Sequence, residues 1–252
     1  MGHVKKKKLS KIMFMHYWKL CFRTLLFLAA AAVYIKNRMN NSGELFGGYE
    51  EKPLILGVIW CIFAVEMLLR FFPSSFESMG CQKQFVRNYK PTGLPESEAR
   101  ILPGVRTFIV ILSWVILNGI IAVLYYTCLI DKGILLLISL AYSVCDMICI
   151  LFFCPFQTWF MKNRCCGTCR IYNWDFAMMF TPLIFVRSFF TWSLVALSIA
   201  LLIKWEWLLH FHPERFSETT NRSISCAMCE EKLCHHKTQL KSFWKSQKER
   251  LF

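Results

Sequence analysis

The sequence predicts an all-α fold: a polytopic membrane helix bundle with about five transmembrane helices and a C-terminal amphipathic helix. Hydrophobic residues make up 56% of the chain and charged residues only 18%, whereas soluble domains carry about 25% charged residues. The apolar residues are also gathered in long runs instead of recurring at a helical or strand period. Such clustering is typical of membrane spans.

Five apolar segments account for this prediction, and they cover residues 12–35, 54–72, 107–130, 133–155 and 176–203. The last four are long enough to cross a hydrocarbon core about 30 Å thick. The first is interrupted by Lys19 and Arg23, and its apolar core follows a basic stretch, a pattern that also fits a cleaved signal peptide. We favour a retained anchor because IMFMHYW extends the segment upstream.

The chain therefore divides into a transmembrane bundle, residues 1–203, and a basic tail, residues 204–252. The bundle includes a cysteine-rich loop, residues 154–175. In the tail, Leu233, Leu240, Trp244 and Leu251 recur on one helical face opposite several lysines. This pattern predicts a basic amphipathic helix, which either lies on a membrane surface or packs on its own protein.

The net charge of +14 is distributed between the apolar runs. This placement favours contact with the lipid bilayer and anionic headgroups over binding of nucleic acid. Lysine and arginine are concentrated in the N-terminus, in loop 73–104 and in loop 154–175, which share one side if five helices alternate. The positive-inside rule makes that side cytoplasmic, so we expect a plasma membrane protein with a cytoplasmic N-terminus. The same alternation places the lysine-rich tail outside.

Four charged residues fall inside predicted spans, and they are Glu66, Arg70, Asp146 and Arg187; the polar residue Asn118 could join them from the third span. A charge at the membrane centre costs roughly 2.5–3.5 kcal/mol on insertion scales, so each charge is expected to have a partner. Asp146 and Arg187 lie about 13 and 16 Å from the same end of consecutive antiparallel helices, which predicts that they pair. Arg70 is expected to reach the interface or to pair with Glu66. The Asp146–Arg187 pair would fix helix register, or would serve a transporter or membrane scaffold.

The cysteine-rich loop, CPFQTWFMKNRCCGTCRIYNWD, carries Cys154, Cys165, Cys166 and Cys169. Four thiolates can bind zinc or an iron–sulfur cluster, with a structural or electron-transfer role. A competing hypothesis is a membrane thiol–disulfide oxidoreductase that uses the C-x-x-C spacing of Cys166 and Cys169. A third is that these are structural cysteines at a membrane interface, open to palmitoylation.

The tail carries a second cluster, Cys226, Cys229, Cys234 and His235. Three thiols and an imidazole at this spacing predict a zinc site, with a disulfide as the alternative. The C-x-x-C units of the loop and the tail would suit one shared zinc if both lay on the same side, which the five-span prediction forbids. Just upstream, Asn221-Arg-Ser223 matches a glycosylation sequon.

The sequence contains no G-x-S-x-G, H-E-x-x-H, G-x-x-x-x-G-K-[ST] or G-x-G-x-x-G motif. Whether the protein is an enzyme is therefore left open. The sequence predicts an integral membrane protein with a cytoplasmic, metal-binding cysteine loop, and it names no reaction.

Overall fold

The computed structural model describes residues 11–39, 53–73, 82–99, 104–163 and 165–225. These residues form six α-helices and no strand: α1 Lys11–Met39, α2 Pro53–Leu69, α3 Gly104–Tyr126, α4 Lys132–Leu151, α5 Asp175–Phe180 and α6 Phe189–Phe211. Helices α1, α3, α4 and α6 are long and apolar enough to cross a membrane, and α2 is a shorter apolar helix. The predicted all-α membrane helix bundle is confirmed.

A tight connection makes α3 and α4 antiparallel. The chain reverses over residues 127–131, where Cys128 adopts a left-handed φ of 57°. Asp131 then starts α4 as its N-cap, because its Oδ1 accepts a hydrogen bond from the Ile134 amide at 2.9 Å. This bond satisfies one of the free amides at the start of a helix.

Helix α1 packs antiparallel to α4. Near its start, Tyr17 and Leu20 pack against a cluster that contains Met147 and Leu151 of the α4 C-terminal turns. Near its end, the Tyr34 hydroxyl donates to Asp131 at 3.2 Å. The N-terminal half of α1 therefore lies beside the end of α4 that leads into the cysteine-rich loop.

The predicted segment 176–203 is not one helix. Helix α5 is followed by a 3-10 turn, Thr181–Phe185, and by extended residues 186–188, before α6 begins. Pro182 lies at the start of that turn, where its fixed φ is tolerated but a long helix cannot continue through it. Because every residue around Pro182 is apolar or uncharged, the run looked continuous in the sequence.

The break reverses the chain within the bundle. Ser139 of α4 donates to the Met179 carbonyl of α5 at 2.8 Å, and Val186 packs with Leu135 and Ile121 near the α3–α4 connection. Residues 175–186 thus run antiparallel to α4, and α6 runs back beside them.

Helix α6 ends at the same end of the bundle as two loops. Trp205 packs against Phe85 with ring centroids 5.3 Å apart and against Phe216 at 6.4 Å, and Arg170 forms an ion pair with Glu206. Segments 82–99, 154–174 and 212–225 therefore lie together, and we call this the loop end. The prediction that the start of the tail lies opposite the cysteine-rich loop is wrong, because the break in segment 176–203 adds one reversal.

Candidate functional site

A network of buried charges lies between α1, α2 and α4. The Arg23 side chain, 3% exposed, contacts a Glu66 carboxylate oxygen and an Asp146 carboxylate oxygen, each at 3.0 Å. It also donates to the Ser143 carbonyl at 3.0 Å. Lys19 reaches the second oxygen of Glu66 at 2.5 Å. One guanidinium thus links the carboxylates of two different helices.

A second ion pair extends this network towards α5. Arg70 contacts the two Asp175 oxygens at 2.7 and 2.6 Å, and its guanidinium lies 4.5 Å from the centre of the Phe176 ring. Asp175 and Asp146 line the same cavity. Across both pairs, three cations face three carboxylates. Paired charges of this kind hold helices in one register within a bundle.

The predicted partner of Asp146 was wrong. Arg187 is exposed and lies in the extended residues 186–188, whereas Asp146 lies in the α4 turns that approach the loop end. The reversal between α5 and α6 carries Arg187 to the other end of the bundle. Asn118 is buried, and its Nδ2 donates to the Trp114 carbonyl one turn earlier at 3.0 Å. For Arg70, Asp175 is a partner that the sequence did not suggest.

Sequence reasoning missed Lys19 and Arg23, which it considered only as interruptions of the first apolar segment. Their spacing of four residues places both on one helical face. That spacing was a usable signal, because two charges on one face of an apolar helix require acidic partners on a neighbouring helix.

A cavity of about 130 Å³ lies next to the charge network. It is bounded by α3, α4, α5 and the cysteine-rich loop. The residues that line it include two acidic residues, Asp146 and Asp175, and four cysteines, Cys145, Cys149, Cys154 and Cys169. Aromatic rings from Trp114, Tyr142, Phe156 and Tyr172 complete much of the remaining lining.

Among the described loop cysteines, Cys154 and Cys169 line this cavity, whereas Cys165 does not. The Cys154 thiol accepts a hydrogen bond from the Gln157 amide at 3.4 Å. Cys169 is buried in a cluster with Met161 and Trp174. Cys165 has its sulfur 3.7 Å from the point where a Cβ on Gly167 would stand.

Among the described residues, no group of three or more His, Cys, Asp or Glu side chains is placed to hold a metal ion. The side chain of Cys166 is outside this description, as are Cys226, Cys229, Cys234, His235 and the predicted amphipathic helix. The predicted metal site therefore stays a prediction.

Asn221 joins the start of the tail to loop 82–99. Its side chain is fully buried. The Nδ2 group donates to the Lys83 carbonyl at 3.1 Å and the Arg215 carbonyl at 2.9 Å, while Oδ1 accepts from the Ser223 amide at 3.0 Å and the Lys90 amide at 3.4 Å. An amide in this position is not accessible to a glycosylating enzyme in the folded protein.

Backbone hydrogen bonds extend this contact. The Arg222 amide donates to the Lys90 carbonyl at 2.8 Å, and the Thr92 amide donates to the Thr220 carbonyl at 3.1 Å. The Ser223 hydroxyl donates to the Asn88 carbonyl at 2.6 Å. We call the side-chain bonds of Asn221 and these three bonds the Asn221 clamp.

The cysteine-rich loop is attached to the same structure. Gln84 donates from Nε2 to the Gly167 carbonyl at 3.0 Å and accepts at Oε1 from Asn173 at 2.9 Å. On the tail side, Ile224 Cγ2 lies 3.9 Å from the point where a Gly167 Cβ would stand. The start of the tail therefore contacts the C-x-x-C turn of the loop.

Comparison of the chain with protein-family models, curated proteins and solved structures finds no match. The fold defines the class, a polytopic membrane helix bundle.

Proposed function

We propose that this chain is an integral membrane protein that binds a metal ion at its loop end, with zinc as the first candidate. The ligands would come from both cysteine clusters: Cys165 of the loop, with Cys226, Cys229 and either Cys234 or His235 of the tail. The observation that carries this proposal is the contact of Ile224 with the Gly167 turn, because Cys226 follows only two residues later.

Chain reach supports the proposal. Two residues of extended chain span at most about 7 Å, so the Cα atom of Cys226 can lie no further than this from the Cα atom of Ile224. Ile224 and the Cys165 sulfur both border the Gly167 turn. A C-x-x-C unit places two sulfurs on one ion from a tight turn, and zinc takes four such ligands in a structural site. Cys165 is a better ligand candidate than Cys169, which lies buried in an apolar cluster.

The charge distribution supports the same site. Lys83, Arg87, Lys90 and Arg170 lie at the loop end, and the positive-inside rule places such an end in the cytoplasm. Thiols stay reduced there and remain available as ligands. A zinc ion with these four ligands would then act as a structural link between the tail and the bundle, in a protein of the plasma membrane.

Elemental analysis of the full-length chain, purified anaerobically in detergent, tests this proposal. We expect about one zinc per chain, lost in Cys229→Ser and reduced in Cys165→Ser. Cys61→Ser is the matched control, because Cys61 is an exposed thiol on α2. A visible absorption spectrum with iron in place of zinc would identify an iron–sulfur cluster instead. Wild-type protein without metal, or Cys229→Ser with full metal, would refute the proposal.

A further inference from the structure

A groove of about 450 Å³ lies on the outside of the bundle, where α3, α6 and residues 177–184 all contribute to its lining. Its apolar lining residues are Ile111, Val115, Ile184, Val195, Ile199 and Leu202. Val115, Ile184 and Ile199 are exposed, and exposed apolar surface on a membrane-spanning bundle faces lipid. The groove is therefore open to the bilayer, and its volume lies within the range of about 300–1,000 Å³ that is usual for small-molecule sites.

The polar groups within the length of the groove bond to the protein itself. Thr181 donates from its hydroxyl to the Ala177 carbonyl at 2.7 Å, and Ser198 donates to the Val195 carbonyl at 2.8 Å. Trp114 donates from Nε1 to the Thr181 hydroxyl at 3.3 Å. The body of the groove thus suits a hydrocarbon chain.

The loop end of the groove carries an ion pair between Arg170 and Glu206. Both Glu206 oxygens lie 3.1 Å from Arg170 Nε, and the two side chains are 30% and 28% exposed. Trp174 holds the carboxylate in place, because its Nε1 donates to Glu206 at 2.7 Å. Arg170 uses Nε and Nη2 in the pair, and its Nη1 has no hydrogen-bond partner among the described residues. Two N–H groups of the guanidinium are therefore available to a ligand.

The length of the groove matches one leaflet of a membrane. On α6 the groove extends from Val195 to Glu206, which is about 16 Å at the helical rise. One leaflet contributes half of a hydrocarbon core about 30 Å thick. A lipid in the leaflet at the loop end would therefore place its headgroup at the ion pair and its chain along the groove.

The charges of the ion pair select the headgroup. Arg170 and Glu206 sum to zero, so a purely anionic headgroup would bring a phosphate beside a carboxylate that repels it. A zwitterionic headgroup offers its phosphate to the guanidinium and its cation to the carboxylate. A primary ammonium donates up to three hydrogen bonds, whereas a trimethylammonium donates none. The carboxylate of Glu206 therefore favours a primary ammonium.

We propose that this groove binds one phospholipid whose headgroup joins a phosphate to a primary ammonium, as in phosphatidylethanolamine. The phosphate accepts hydrogen bonds from Nη1 of Arg170, a strong type of contact for a guanidinium. The ammonium donates to Glu206, and an acyl chain lies between α3 and α6. None of the proposed zinc ligands takes part, so the lipid site and the metal site can fail independently.

Native mass spectrometry of the full-length chain in detergent tests this lipid site, with phosphatidylethanolamine, phosphatidylcholine and phosphatidylglycerol of identical acyl chains added in equal amounts. We expect one phosphatidylethanolamine per chain, retained at least about tenfold over either competitor, because one charge-assisted hydrogen bond is enough for that ratio. Equal retention of the three lipids in the wild type would overturn the proposal without reliance on any variant. A dimer that excludes lipid would also overturn it, since the groove would then belong to a second copy of the chain.

Glu206→Gln tests the choice of headgroup. The change removes the acceptor of the ammonium and leaves the positive charge of Arg170, so the preference should turn towards the anionic phosphatidylglycerol. Glu218→Gln is the matched control, because Glu218 is an exposed acidic residue that does not line the groove, and it should keep the wild-type preference. An unchanged preference in Glu206→Gln would show that the ion pair does not select the lipid.

A pair of variants on α3 tests the position of the acyl chain. Val115 and Ile116 are both exposed, but only Val115 lines the groove. Val115→Trp should lower retention of phosphatidylethanolamine about tenfold, as expected when a pocket no longer accommodates its ligand, and Ile116→Trp should leave it unchanged. Equal retention in the two variants would show that the groove is not the site.

Discussion

Arg23→Met is expected to destabilise the folded bundle by about 3–5 kcal/mol, the usual cost of removing one partner from a buried charge network. Methionine keeps much of the side-chain length but leaves Asp146 without the guanidinium that it contacts and leaves Glu66 with Lys19. The Ser143 carbonyl also loses a donor. Thermal unfolding in detergent, followed by size-exclusion chromatography, measures the effect.

A matched control is available at the other end of the bundle. Arg187 is exposed, so Arg187→Met should change stability by no more than about 0.5 kcal/mol, as surface substitutions commonly do. If Arg23→Met were as stable as Arg187→Met, the charge network would not hold the bundle together.

A fourfold variant distinguishes a structural network from a polar pathway. Arg23→Met combined with Lys19→Met, Glu66→Gln and Asp146→Asn removes the charges between α1, α2 and α4 together, and neutral replacements of a buried network are often tolerated. Restored stability would indicate that the charges fix helix register. A network built for transport would instead give a folded fourfold variant that has lost substrate flux in vesicles, and a structural network predicts no such flux in the wild type.

The class of fold could be predicted from the sequence because a membrane-spanning helix requires a long apolar run, which is directly visible in the sequence. Helices α3 and α4 overlap the apolar segments 107–130 and 133–155. Asp131 is the N-cap residue of α4 and is a local signal for the start of that helix. The reversal at Pro182 was missed because Arg187 and Ser188, which lie within it, were counted as part of one long apolar segment. One missed reversal was enough to put the start of the tail at the wrong end.

The candidate site was less predictable, because its contacts join residues far apart in the chain. Arg23 meets Asp146 across 123 positions, and nothing in the local pattern of either residue selects the other. Cys149 looked like a small apolar residue within a span, although it lines a cavity together with Asp146 and Cys154. Asn221 matched a glycosylation sequon. Its hydrogen bonds to loop 82–99 could not be predicted, because that loop is far from Asn221 in the sequence.

Asn221→Ala is expected to release the start of the tail from the loop end. The change removes two donors and an acceptor that serve four buried backbone groups. Leaving a buried group without its partner costs about 1–3 kcal/mol. We therefore expect the free energy of local opening at this contact to fall by at least about 3 kcal/mol. Hydrogen exchange at the Arg222 and Thr92 amides, which bond across the clamp, should then become about a hundredfold faster.

Glu218→Ala is the control for this release, because Glu218 is an exposed residue of the same segment and should leave exchange unchanged. The zinc content of Asn221→Ala adds a second measurement. If the clamp holds the tail cysteines near Cys165, metal content should fall in Asn221→Ala and stay constant in Glu218→Ala. Faster exchange with unchanged metal would mean that the tail binds its ion without the loop, whereas unchanged exchange would mean that the Asn221 bonds do not anchor the tail. Only a loss of both amide protection and metal in Asn221→Ala links the clamp to the site.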